Sequence, residues 1–257
     1  MRIVRYKASD GAAYGVVEDD AVYALQGDLF GAWNAGRRIA SLEDARILPP
    51  CLPSKIVAVG RNYLDHALET HRDVPEEPLI FLKPPTTVIA HLEPIVYPVL
   101  SQRVDHEGEL AVVIGRRCRN VDPGQAKACI LGYTCANDVT ARDLQRKDGQ
   151  WMRGKGFDTF LPLGPFIRTD FDWLNASLQT RLNGQVRQNG QLKEMVFKVE
   201  FLISFISQVM TLLPGDVILT GTPSGTGPMQ PGDVVEVEIT GIGTLRNHVI
   251  AAKHYVI

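Results

Sequence analysis

The chain has 257 residues, room for one large domain or for a small domain joined to a large one, and its 45% hydrophobic and 22% charged residues carry a net charge of -2. That balance gives no electrostatic pull toward nucleic acid or an anionic membrane surface. No apolar leader core follows Met1, and the longest apolar helical stretch, Val199 to Leu213, is too short and too interrupted by polar residues to span a bilayer, so a cytoplasmic protein with no membrane partner is expected.

Residues 1 to about 48 alternate apolar and polar positions around turn signals such as SDGAAYG and EDDAV, which predicts a small β-rich lobe of short strands. Pro49, Pro50 and Pro53 stiffen a connector, and the compact run SKIVAVG after it reads as the first buried strand of the main domain. The boundary falls near residue 52, dividing the chain into 1–52 and 53–257. In GRNYLDHALETH, helical spacing packs Tyr63, Leu64, Ala67 and Leu68 on one side and brings His66 and Glu69 within reach of each other on the other. Such a pair can act as a general base with its orienting carboxylate, or can simply be a solvated helix face. The segment PLIFLKPPTTVIAHLEPIVYP predicts short strands and irregular turns, with Lys83 expected to pack its stem on the surface.

DHEGELAVVIG, residues 105 to 115, organises the rest. Alternation along a strand puts Glu107, Glu109, Ala111 and Val113 on one face and Gly108, Leu110, Val112 and Ile114 on the other. A strand apolar on both faces is buried, and two like charges at its mouth then need a cation or a shared proton, which points to a metal. Glutamates on an edge strand facing water are the competing reading. Beyond it, Asp122 and Pro123 mark a short helix leading to a second buried strand that ends at Asp138. Arg142 and Gln145 lie one helical turn apart and can present a guanidinium and an amide to a carboxylate, although Arg142 can also pair with Asp143 or Asp148. Gly154 and Gly156 flank Lys155 and allow a turn that aims its ammonium inward; an exposed loop lysine is the alternative.

Asn183-Gly184 is the strongest hairpin signal in the chain. Phe201, Leu202, Phe205, Ile206, Val209, Leu212 and Leu213 then repeat at helical spacing, predicting one amphipathic helix with its Phe and Met residues in the core. LLPGDVI and MQPGDVV each open a strand from a Pro-Gly-Asp turn. Between them LTGTPSGTG can bring backbone N–H groups and the Thr222 hydroxyl to an anionic ligand, but it lacks the lysine of a phosphate-binding P-loop. Cys51, Cys118, Cys129 and Cys135 show no CxxC spacing and are expected as buried free thiols.

Taken in order, GRNYxxHxxE, DHEGELAVVIG, the AND of TCANDVTARD, RGKGFDTFLPLGP and LTGTPSGTG resemble the fumarylacetoacetate hydrolase family, most closely its branch of acylpyruvases, oxaloacetate decarboxylases and 2-hydroxyhepta-2,4-diene-1,7-dioate isomerases. The resemblance runs from about residue 53 to 250. It implies an α+β, mainly β fold, a mixed β-roll behind the small N-terminal domain, a homodimer, and Mg²⁺ or Mn²⁺ as cofactor. Carried over residue by residue, it implies Glu107, Glu109 and Asp138 as metal ligands, His66 and Glu69 as a water-activating dyad, and Lys155 as the catalytic lysine. Arg142, Gln145 and Thr222 become substrate contacts. Three carboxylates form a hard, all-oxygen set that suits Mg²⁺ or Mn²⁺ and leaves positions open for a 2-oxo acid. The implied chemistry is a metal-stabilised enolate from a 2-oxo or 2,4-dioxo carboxylic acid, ending in C–C hydrolysis, oxaloacetate decarboxylation, or isomerisation and decarboxylation of dienol diacids and oxopentene tricarboxylates. A non-catalytic protein that keeps the ion for ligand capture is the reading from another class; it needs the three carboxylates but not the lysine or the His-Glu pair.

Overall fold

The computed structural model of the chain describes residues 1–69 and 75–252, except the side chain of His66. In the N-terminal lobe, β1 (Arg2–Ala8), β2 (Gly11–Glu18), β3 (Ala21–Gly27) and β4 (Trp33–Ser41) form an antiparallel meander, and β5 (Ile47–Leu48) returns beside β1. The turn from β2 to β3 is made by Asp19 and Asp20 at φ 42° and 58°, a left-handed pair that short polar side chains tolerate and that matches the twist of the strands.

β6 (Ile56–Gly60) is buried at every position, as a strand covered on both faces must be. α1 (Leu64–Glu69) is a short helix, but Leu64 and Leu68 are exposed, so only Tyr63 and Ala67 of the expected stripe pack inward. The proline-rich segment forms β7 (Leu79–Lys83), β8 (Val88–Ile89) and β9 (Ile95–Tyr97), short strands divided by turns. The organising run is two strands, β10 (Val104–His106) and β11 (Gly108–Ile114), broken at Glu107.

α2 (Pro123–Ala126) begins at the expected proline and leads into β12 (Ile130–Asn137); β13 (Thr140–Ala141), α3 (Arg142–Asp148), α4 (Met152–Lys155) and β14 (Leu161–Arg168) follow. β15 (Ser177–Leu182) and β16 (Gln185–Gln191) form the hairpin, with Asn183 and Gly184 both at positive φ. α5 (Val199–Val209) buries Val199, Leu202, Ile203 and Ile206, while Phe201 and Val209 are exposed and Leu213 lies past the helix end, which corrects the expected core stripe. The phenylalanines instead stack along the flank, Phe197 on Phe201 at 5.7 Å and Phe201 on Phe205 at 6.2 Å. β17 (Val217–Leu219) and β19 (Val234–Ile239) open from the two Pro-Gly-Asp turns, and β18 (Gly227–Met229) and β20 (Gly243–Ala251) complete the chain of strands.

The largest sheet runs β4-β3-β2-β1-β14-β12-β11-β17-β6-β7, a second runs β16-β15-β19-β20-β9, and a third is β13-β10-β18. β11 is central and buried throughout. Leu110, Val112 and Ile114 pack toward α5 and the second sheet, whereas Ala111 and Val113 pack against Ile56, Leu161, Leu163 and Ile167. This is the mixed, strand-dominated roll expected. The lobe is not a detached sheet: β1 pairs with β14 through Arg2↔Arg168 and Ile3↔Ile167, and Ile3 enters the same core as Leu161. All four cysteines are buried free thiols, and burial pushes Cys51 and Cys135 up to about 12.

Candidate metal centre and active-site cleft

The break at Glu107 builds the site. The β11–β12 register pairs Gly108 with Asn137, so Glu107 stands opposite Asp138 at the common end of both strands. Two bonds hold that end open: the Asp138 N–H donates to the Glu107 carbonyl at 2.8 Å, and the Glu107 N–H donates to Asn137 Oδ1 at 2.9 Å. Glu107, Glu109 and Asp138 each offer an oxygen within 4.8 Å of the others, and all three are buried. Water-facing glutamates on an edge strand are thereby excluded.

Two lysines converge on these carboxylates. Lys155, the last residue of α4, is 2% exposed and donates to Glu107 Oε2 at 2.6 Å and Asp138 Oδ2 at 2.5 Å. It is not an exposed loop lysine. Burial disfavours its charge, but Asp138 and Glu107 outweigh burial and hold its pKa above the usual range. Lys83, expected at the surface, is also 2% exposed and donates to Asp138 Oδ1 at 2.6 Å. Its pKa is lowered, by burial first, with Lys155 adding like-charge repulsion against the attraction of Asp138. The sequence carried one signal for it: a lysine closing an apolar β-run directly before two prolines.

Arg142 pairs with neither Asp143 nor Asp148, since Asp148 is taken by Arg153. Its Nε donates to Asp105 Oδ2 at 2.9 Å, one terminal nitrogen meets Glu107, and Nη1 donates to Gln145 Oε1 at 2.7 Å. Asp105 was missed as a site residue, although strand alternation puts it in phase with Glu107 and Glu109. The Thr222 hydroxyl donates to the Gly108 carbonyl at 2.8 Å and accepts from Gln188 Nε2 at 2.7 Å, so it braces the ligand-bearing backbone. Glu69 accepts the Gly225 N–H, 3.1 Å from each oxygen. The contact expected between His66 and Glu69 lies outside the described residues. Glu69, Glu107, Glu109, Asp138, Arg142, Gln145, Lys155 and Thr222 all line one cleft of about 1290 Å³.

The donor set fits a hard divalent cation: three carboxylates with no soft ligand. Glu109 supplies a second indication. Its carboxylate accepts one N–H, from Gly221 at 2.7 Å, and forms no ion pair among the described residues. Burial, then repulsion from Asp138 and Glu107, raise its pKa well above the usual carboxylate range despite Lys155. A buried carboxylate crowded by its own kind is the surrounding that a cation relieves.

Residues 55–250 match the family model described as fumarylacetoacetate (FAA) hydrolase, C-terminal, and residues 1–50 match the one described as Rv2993c-like, N-terminal. The structure of a 5-carboxymethyl-2-hydroxymuconate delta-isomerase from Mycobacterium smegmatis superposes with a TM-score of 0.92 at 49% identity, covering 98% of this chain and 100% of that one. Mitochondrial oxaloacetate tautomerase FAHD2A of Homo sapiens is 44% identical over 216 residues, 79% of this chain and 69% of that protein. A maleylpyruvate hydrolase from Sphingobium sp. SYK-6, solved in complex with manganese(II) ion and pyruvate, aligns with a TM-score of 0.82 at 28% identity, covering 98% of this chain and 100% of that one. With a family match across most of its length, and a relative at this identity spanning the whole fold, the chain belongs to the fumarylacetoacetate hydrolase family.

Proposed function

We propose that this chain is a Mg²⁺- or Mn²⁺-dependent enzyme acting on 2-oxo and 2,4-dioxo carboxylic acids, hydrolysing acylpyruvate-type C–C bonds, decarboxylating oxaloacetate, or both. Residues 53–257 form its catalytic domain, residues 1–52 a small N-terminal domain, and the working species is a cytoplasmic homodimer. The observation that carries the reading is the buried Lys155 ammonium held between Glu107 and Asp138 inside a triad of carboxylates. An ion kept for structure needs the carboxylates alone.

Glu107, Glu109 and Asp138 would hold the ion, which when bound supplies Lewis-acid polarisation of a 2-oxo carboxylate. Lys155, itself buried, keeps a fixed positive charge where negative charge develops on the oxo oxygen. Because Gln145 Oε1 is taken by Arg142, the Gln145 amide NH₂ and the remaining Arg142 N–H groups are the donors left for a substrate carboxylate. For hydrolysis, His66 oriented by Glu69 takes a proton from water. Decarboxylation needs no such base. Thr222 has both hydroxyl bonds satisfied by protein, which favours a bracing role over direct contact with a carboxylate.

A second reading, isomerisation of 2-hydroxyhepta-2,4-diene-1,7-dioate or a related tautomerisation, is favoured by the isomerase and tautomerase named among the relatives. It requires only proton movement on the same bound acid. Incubation with Mg²⁺ or Mn²⁺ and oxaloacetate, acetylpyruvate or a hydroxyheptadienedioate should release pyruvate or remove the enol absorbance, and EDTA should abolish both. Full turnover in EDTA would sink the metal assignment. Glu109→Gln should lose divalent-ion binding and lower turnover by about 10²-fold or more while staying folded.

A further inference from the structure

We propose that Arg61 anchors a second, distal anionic group of the substrate, so that the cleft selects oxo acids bearing a carboxylate at both ends. This rests on the proposed binding of 2-oxo acids at the triad.

Arg61 combines two costly features. Its backbone sits at φ 57°, a left-handed conformation that a long side chain with a Cβ avoids. The strain is held in place from both sides. Gly60 ends β6 with an ideal Cβ position only 2.5 Å from the Trp151 ring, so no side chain fits there. Asn62 is fully buried, donating to the carbonyls of Thr220 at 2.7 Å and Phe197 at 2.9 Å and accepting the Phe197 N–H at 2.7 Å. A turn fixed this firmly aims the residue between its anchors.

The second feature is the guanidinium. Arg61 lines the cleft, its Nε is buried without a hydrogen-bond partner, and the side chain forms no ion pair among the described residues. The other arginines differ. Arg142 and Arg103 are neutralised by Asp105 and Glu107, and Arg146 lies on the exposed rim. Arg61 is half-buried, and its buried Nε–H lacks an acceptor that a ligand in the cleft can supply; a planar guanidinium matches a carboxylate in two-point geometry.

The cleft wall between the triad and this turn is aromatic. Lys155 Nζ lies 5.3 Å from the Phe81 ring centre, and that ring packs edge-on against Trp151 at 5.2 Å. Trp151 in turn covers Gly60 beside Arg61. Phe81 and Trp151 thus line the cleft between Lys155 and the Gly60–Arg61 turn, an apolar wall on which the carbon chain of a diacid can lie.

Calorimetry on the Mn²⁺-loaded protein tests this with 2-oxoheptanedioate and 2-oxoheptanoate, which share the oxo-acid head and chain length and differ in the distal carboxylate. The wild type should bind the diacid about tenfold or more tighter, and Arg61→Gln should erase most of that preference while Mn²⁺ and monoacid affinities stay within about twofold. Arg61→Lys should keep part of the preference. Arg61→Asn, a residue tolerated at positive φ, should match Arg61→Gln. The proposal is overturned by equal wild-type binding of both acids, by a preference that survives Arg61→Gln, or by loss of Mn²⁺ binding in both neutral variants, which would make Arg61 structural. If neither acid binds the wild type, the proposed function fails with it, an outcome distinct from equal binding of both.

Discussion

Lys83 and Lys155 reach the same carboxylate, Asp138, from different elements, and their roles separate experimentally. Lys83 touches Asp138 and the Val139 carbonyl, at 3.4 Å, and no other acidic side chain among the described residues. Replacing one member of a buried ion pair leaves the other desolvated and uncompensated. Lys83→Met should therefore cost about 3 kcal/mol of stability in urea unfolding, with part recovered by added Mn²⁺. Lys155 faces the cleft, so Lys155→Met should lower kcat by about 10²-fold with KM little changed; a change in KM alone would count against charge stabilisation. Strand alternation made Glu107 and Glu109 readable, since their phase is a local property. For Lys83 the apolar run before it and the prolines after it were a signal too weak to decide, because a lysine there looks the same whether its end meets water or a carboxylate 55 residues further along the chain.

At the scale of single elements, local chemistry decides where the turn is self-contained. Asn183 and Gly184 at φ 51° and 77° close the β15–β16 hairpin, and an alanine at 184 must enter the left-handed region. Gly184→Ala should cost about 1 kcal/mol, read as a lower urea midpoint with an unchanged slope. His91, between β8 and β9, shows the opposite case, a residue whose surroundings come from far along the chain. Its Nδ1 accepts the Arg246 N–H at 3.0 Å, and burial first, then the Arg246 charge, lowers its pKa below 6.5. The unfolded chain then binds the proton more readily, so stability is complete above about pH 6.5 and falls as acid protonates the unfolded His91. His91→Gln should flatten that acid-side slope; an unchanged slope would assign it to other groups. α5 was legible as a helix from its period, but its buried face is rotated from the expected stripe. Phe201 and Phe205 satisfy each other and Phe197 along the flank, which frees the narrower Val199-Leu202-Ile203-Ile206 line to meet the sheet.

For the whole molecule, the lobe and the roll share one sheet across the β1–β14 seam. A chain starting at residue 53 would expose the edge of β14 and strip Ile3 from the core it shares with Leu161 and Ile167. Such a truncated protein should melt lower than the full chain and associate through the bared edge, measured by calorimetry and light scattering. A melt unchanged by truncation would mean that the seam adds little.

The period-two and period-3.6 patterns, the proline and glycine punctuation and the order of the motifs determined the strand-rich roll, the hairpin, the carboxylate pair and the family, because each is written in neighbours a few residues apart. Tertiary structure alone decided that Lys83 and Asp105 come up to the carboxylates, that Arg142 is bound to Glu107, and that Arg61 lines the cleft with no side-chain partner among the described residues. The reason is physical: the charge state and use of a buried polar group depend on what the fold sets within a few ångströms of it, and those neighbours come from strands and loops distant in the chain.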